Sequence, residues 1–145
     1  MIAVLQRVLK AKVTVDGQPV SEIGPGLLIL LGIRKGDTED KARVLARRCV
    51  QMRIFEDQDE KFNRSLEDVR GETLVVSQFT LLADTERGRR PSFTDAEAPD
   101  RAKILYEFFL DQLAGSGITA RGGKFGARMI VALENNGPVT IIMEE

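Results

Sequence analysis

The segment IAVLQRVLKAKVTV, residues 2–15, alternates between apolar and polar positions and is rich in valine. That period of two predicts a strand with one buried face. Asp16-Gly17 interrupts the alternation just before QPV, the dipeptide of a tight β-hairpin turn. LLILLGI, residues 27–33, is continuously apolar between Gly26 and Gly36, which predicts a strand buried on both faces. The period then changes. In GDTEDKARVLARRCVQMR, Ala42, Leu45, Ala46, Cys49 and Met52 fall at helical spacing, with Asp37 or Thr38 as the N-cap. RIFEDQDEKFNRSLEDVRGE predicts a short strand and a polar loop, and TLVVSQFTL another core strand. A second helix starts at Pro99, presents Ala102, Leu105, Tyr106, Phe109 and Leu113 on one face, and meets Gly115 as its C-cap. The tail predicts a strand ARMIVALE, a turn NNGP and a last strand VTIIMEE.

There is no internal repeat and no low-complexity stretch. The pattern predicts an α+β fold: a mostly antiparallel, barrel-like β-sheet with two packed helices, in one domain over residues 1–145. Hydrophobic content of 43% and charged content of 30% belong to an ordinary globular chain. No apolar run reaches the roughly 20 residues that span a bilayer, so no membrane partner is expected. The N-terminus lacks the basic region and long apolar core of a signal peptide. With a single cysteine, Cys49, that fits a reducing compartment, a cytoplasmic address follows.

Charge and histidine content narrow the chemistry. A net charge of −1 argues against coating long stretches of nucleic acid, though not against gripping one RNA end. Arg87, Arg89 and Arg90 form a small basic spot that also reads as a solvated loop. The chain has no histidine, which removes Ser-His-Asp and Cys-His machinery. One cysteine and no histidine leave no credible zinc site, no acidic cluster stands at magnesium-ligand spacing, and no cofactor is called for.

Three places interrupt the ordinary pattern. Ser77, Gln78, Phe79 and Thr80 put polar groups at the end of a core strand, with Ser77 and Phe79 expected on one side and Gln78 and Thr80 on the other. They either satisfy neighbouring backbone or present backbone N–H groups to a ligand oxygen with Thr80 beside it. Gly137-Pro138 reads as a simple turn or as a rigid bend offering carbonyl oxygens to an ammonium group. In GGKFGARM, residues 122–129, Gly126 and its neighbours let backbone approach a ligand, and Phe125 offers a ring for stacking on a base. A hairpin loop with one buried aromatic has the same composition.

Taken in order, QRV (6–8), SQFTL (77–81), DTERGRRPSF (84–93), APDRA (98–102), KFGARM (124–129) and NNGPVT (135–140) closely resemble the D-aminoacyl-tRNA deacylase family. The likeness runs from Met1 to the last strand; Asn136 departs from the acidic residue expected there. The resemblance implies hydrolysis of the ester joining a D-amino acid to the 3′-terminal adenosine of a tRNA. It implies a catalytic segment Ser77-Gln78-Phe79-Thr80, with the ribose 2′-OH assisting. It further implies a homodimer in which a cis Gly137-Pro138, braced by Arg7, enters the partner's active site and holds the α-amino group. Phe125 and Gly126 fall among the substrate-binding positions, and glycine, lacking a side chain to clash, is expected to be released too. A tRNA-end binding module without catalysis, and a Thr- or Ser-based esterase for small molecules, are the competing readings.

Overall fold

β1 (Ile2–Val15) is the strand around which the sheet assembles. β2 (Gln18–Ile23) folds back across Asp16-Gly17 and pairs antiparallel with residues 11–15 of β1. β3 (Gly26–Gly32) pairs antiparallel with residues 2–8 of β1, and its side chains are buried on both faces as the apolar run predicts. β8 (Ile130–Glu144) lies antiparallel along β1 from Ile2 to Thr14. The structure, a computed structural model, describes residues 1–86 and 88–145.

Beyond β3 the sheet becomes parallel. β6 (Glu72–Ser77) runs beside β3, and β7 (Thr119–Gly122) beside β6. Parallel neighbours require a crossover, and α1 (Glu39–Gln51) and α3 (Pro99–Gly115) lie in the two crossovers. The order is β2-β1-β3-β6-β7, with β8 on β1, and Ser21 Oγ of β2 donates to the Gly122 carbonyl of β7 at 2.8 Å. The two ends of the path therefore meet, and the sheet curls toward a barrel.

The helices follow their predicted faces. Thr38 caps α1, accepting from Lys41 N, and Ala42, Leu45, Ala46, Cys49 and Val50 are buried. Asp37, the other cap candidate, instead accepts from the Met1 ammonium at 2.9 Å and from Arg34 N at 2.7 Å. α3 starts at Pro99 and includes Gly115; its cap is Ser116, one residue later than predicted. Phe109 and Leu113 pack with Leu45, Leu5, Ile29 and Val75 between helices and sheet. On the opposite sheet face Val8, Ala11, Val13, Ile23, Leu28, Leu74 and Val76 form a second cluster inside the curl.

Three segments depart from the sequence expectation. The loop after β4 (Phe55–Glu56) contains β5 (Phe62–Arg64) and a short α2 (Leu66–Val69), nucleated by a capping box between Ser65 and Asp68. TLVVSQFTL is strand only through Ser77 and continues as a 3-10 turn, Phe79–Leu82. NNGP makes no hairpin: it lies within the continuous β8.

Burial pushes the Cys49 thiol from 9.0 up to about 12. The Tyr106 hydroxyl is pushed from 10.0 to about 12, chiefly by burial, with the charge of Glu107 adding to it. In both cases the folded state holds the proton more tightly than the unfolded chain. Their stabilisation is complete below the unfolded values and is lost as pH rises toward the folded ones. Urea melts are expected to show a lower midpoint at about pH 11 than at about pH 8, with Cys49 resisting alkylation until the protein unfolds.

Candidate active site

The polar strand end is shaped by where β3 stops. Ser77 pairs with Leu31, and Gln78 N donates to Leu31 O at 2.8 Å. β3 ends at the next residue, Gly32, so the chain has no further ladder to follow and closes into the 3-10 turn. Gly32 permits this close approach: a Cβ there would lie 3.2 Å from both Gln78 O and Leu81 Cβ, and 2.8 Å from Ile2 Cγ2. The turn replaces the predicted alternation of Ser77 and Phe79 against Gln78 and Thr80. Thr80 is exposed and its Oγ1 accepts from Gln78 Nε2. The first N–H groups of a helical turn have no partner within it. Among the described residues, neither Phe79 N nor Thr80 N has an acceptor.

Beside this turn lies a cavity of about 650 Å³ lined by Ser77, Gln78, Phe79, Phe93, Phe125 and Gly126, among others. Phe79 is 57% exposed and meets Phe93 edge-on, ring centroids 5.1 Å apart. Phe125 packs on Tyr106 at 5.6 Å, and Tyr106 OH donates to Val75 O at 2.8 Å, which ties α3 to β6 beneath the cavity. Gly123 N donates to the same carbonyl at 2.8 Å, anchoring the loop that carries Phe125 and Gly126. Glu97 contributes a carboxylate to the lining, but its oxygens already accept from Ala98 N and Gly36 N and pair with Arg101.

Gly137-Pro138 occupies a different place. Gln6 stands opposite Thr140 and Val8 opposite Asn135, so residues 136–139 bulge opposite Arg7 alone. The Gly137-Pro138 peptide bond is cis, and Asn136, Gly137 and Pro138 are exposed. Asn135 staples the bulge, its Oδ1 accepting from Val139 N at 2.8 Å and its Nδ2 donating to Thr140 Oγ1 at 3.1 Å. Arg7, only 4% exposed, donates from Nε to Asn136 O at 3.0 Å. It also donates to Ile54 O at 2.8 Å and to Glu56 Oε1 at 3.0 Å.

The structure thus gathers Ser77, Gln78, Phe79, Phe125 and Gly126 around one cavity with Thr80 on the adjoining turn. Arg7, Gly137 and Pro138 form a separate cluster and line none of it. Arg7 pairs with Leu27, four residues along β3 from the cavity-lining Leu31, about 13 Å at strand spacing. Of the basic spot, Arg89 and Arg90 are exposed on the loop closed by the Asp84–Ser92 pairing, and Arg87 lies outside the described residues. Sequence reasoning missed Phe93 and Glu97 as cavity residues and Ile54, Glu56 and Phe62 as neighbours of Arg7. Phe93 closes the quoted DTERGRRPSF and Glu97 directly precedes APDRA; nothing local marks the other three.

The family model described as D-Tyr-tRNA(Tyr) deacylase matches residues 4–144. The D-aminoacyl-tRNA deacylase of Roseiflexus castenholzii is 57% identical over 144 residues, covering 99% of this chain and 92% of that protein. The protein of the same name from Carboxydothermus hydrogenoformans is 56% identical and covers 99% of each. Among solved structures, one described as c-Myc DNA Unwinding Element Binding Protein has a TM-score of 0.94 at 41% identity, covering 100% of this chain and 99% of that one. Another, described as a probable eukaryotic D-amino acid tRNA deacylase, has a TM-score of 0.84 over 98% of this chain and 97% of that one; at 20% identity it speaks for the fold alone. Sequence likeness and fold coincide over nearly every residue, and the chain belongs to the D-Tyr-tRNA(Tyr) deacylase family of hydrolases.

Proposed function

We propose that this protein hydrolyses the ester between a D-amino acid and the 3′-terminal adenosine of a tRNA, releasing both. The observation that carries the reading is the pair of acceptor-free N–H groups of Phe79 and Thr80 on a turn at the edge of an aromatic cavity. Water adds to the ester carbonyl, the oxyanion is held by these N–H groups, and the C–O bond to the ribose breaks as its oxygen takes a proton. Phe79, Phe93 and Phe125 offer apolar surface for the terminal base. The adjacent 2′-OH assists, so an activated ester needs position and charge stabilisation more than a strong protein base.

Chiral selection is assigned to the partner subunit. A pocket that discriminates by one methylene gains only about 1–3 kcal/mol, whereas a fixed backbone wall excludes one hand outright. The exposed Gly137-Pro138 bulge of one copy, seated in the cavity of another, supplies that wall and receives the α-amino group on its carbonyls. Charged glycine has no side chain to clash and is also released. Support for a second copy comes from the sheet face opposite the helices: Val4, Leu30 and Ile142 are register neighbours there, and Ile142 is 66% exposed. An isologous dimer covers such a face and completes two sites at once. Sedimentation is expected to find a dimer at assay concentration, and a fully active monomer would contradict the arrangement. No helix among the described residues is long and apolar enough to cross a membrane; the workplace assigned here is the cytoplasm, where tRNA is charged.

The test is parallel incubation with D- and L-tyrosyl-tRNA, following released amino acid. Rapid release from the D form alone is the expected result. A second reading, nucleic-acid end binding without turnover, draws on the DNA-binding name of one structural relative; tight binding with no release from either substrate would favour it.

A further inference from the structure

We infer that Glu56 is a positioning residue for selectivity, orienting Arg7 and through it the bulge at residues 136–139. The inference rests on the reading above, in which that bulge meets the substrate's amino-acid end. Arg7 is nearly buried, and an arginine cannot shed its charge to relieve burial. Its planar guanidinium is engaged in three directions: Nε to the bulge at Asn136 O, Nη1 to Ile54 O, and Nη2 to Glu56. The Phe62 ring lies 5.2 Å from the guanidinium carbon. Of these partners only Glu56 carries a negative charge. Nη2 also abuts the bulge itself, since a Cβ on Gly137 would come within 3.2 Å of it. Because the fork is rigid, the group that aims Nη2 also sets where Nε and the Asn136 carbonyl sit.

Glu56 is a poor candidate for a stability device. Its side chain is 47% exposed while that of Arg7 is 5% exposed, so water can reach Nη2 from the Glu56 side and the cost of losing the carboxylate is smaller than for a fully buried pair. The ribbon that carries it is ordered locally: Asp57 Oδ1 accepts from Asp59 N and Lys61 N, and Oδ2 accepts from Asn63. Removing the Glu56 carboxylate should therefore leave the ribbon standing while freeing one arm of Arg7.

The experiment measures kcat and KM on D- and L-tyrosyl-tRNA, with thermal melts, for Glu56→Ala, Glu56→Gln, Arg7→Lys and the Arg7→Lys/Glu56→Ala pair. Glu56→Ala is expected to lower kcat on the D substrate by about three- to tenfold with KM little changed and only a modest drop in melting temperature, and to narrow the D/L ratio. Glu56→Gln, which keeps an acceptor oxygen, falls between it and the parent. In the Arg7→Lys background Glu56→Ala adds less than about twofold, because the two act as one unit. Wild-type kcat and selectivity for Glu56→Ala beside an impaired Arg7→Lys would overturn the role of Glu56 and leave the bulge reading intact. Wild-type behaviour of Arg7→Lys and of Gly137→Ala would remove the bulge reading, and this inference with it. A Glu56→Ala protein that melts far lower and slows on both substrates alike would show a structural role only.

Discussion

Gly137→Ala is expected to lower D-aminoacyl-tRNA cleavage by about a hundredfold or more, the loss of some 2.7 kcal/mol of transition-state stabilisation, in a protein that still folds. The backbone at Gly137 has φ +131°, a region that side-chain-bearing residues avoid at a cost of about 1–3 kcal/mol. Space is lacking as well: a Cβ there would lie 2.7 Å from Val139 Cγ2, 3.0 Å from Val139 N and 3.2 Å from Arg7 Nη2. None of the three gives way easily. Val139 is 7% exposed within the core cluster, its N–H is held by Asn135, and Arg7 is fixed by Ile54, Glu56 and Asn136. The bulge must therefore shift outward, carrying its carbonyls with it, and a displacement of about 1 Å at a positioning element costs on the order of a hundredfold in rate. Folding tolerates the change because residues 136–138 are exposed and the flanking halves of β8 stay paired with β1. Single-turnover release of D-tyrosine, beside a thermal melt, is the measurement. A folded mutant with parental rate and parental chiral preference would show that the bulge plays no part in catalysis.

That bulge also shows where sequence reasoning stops. Asn-Asn-Gly-Pro carries the same local signal whether the chain turns back or merely steps out of register. The deciding fact is distant: β1 is long enough to pair with both halves of β8, Val8 with Asn135 and Gln6 with Thr140. The two long helices, α1 and α3, were legible because a period of 3.6 is a local property, and Asp16-Gly17 was legible because a two-residue hairpin is closed by its own dihedrals. The end of β6 was not, since its length is set by β3 stopping at Gly32, more than forty positions earlier. For the proposed site, SQFTL falls beside the cavity and GPVT on the separate bulge opposite Arg7, an arrangement no local signal reveals. Glu56 and Phe62 meet Arg7 only through the tertiary fold, with no spacing rule to reveal it.

Thr80→Ala is expected to retain activity within about tenfold of the parent, whereas a substrate whose terminal adenosine lacks the 2′-OH loses more than about a hundredfold. A threonine hydroxyl attacks an ester only when a neighbouring base removes its proton. No histidine exists in the chain, and the partner of Thr80 Oγ1 is the Gln78 amide, which is neutral and is no base. The carboxylate that lines the cavity, Glu97, has its oxygens engaged by two backbone N–H groups and Arg101. What the segment does offer is the backbone of Phe79 and Thr80, and that survives truncation of the Thr80 side chain. The residual loss in the mutant reflects the turn relaxing once Gln78 no longer has Thr80 Oγ1 to hold. The 2′-OH, by contrast, is vicinal to the scissile ester, so its removal takes away a group already in place to direct water or polarise the carbonyl. Rapid-quench rates on the two substrates, with mass spectrometry of acid-quenched enzyme, separate the cases. An aminoacyl adduct on Thr80 would make Thr80 the nucleophile and require a base supplied from outside this chain, and full-rate cleavage of the 2′-deoxy substrate would remove the role given to the 2′-OH.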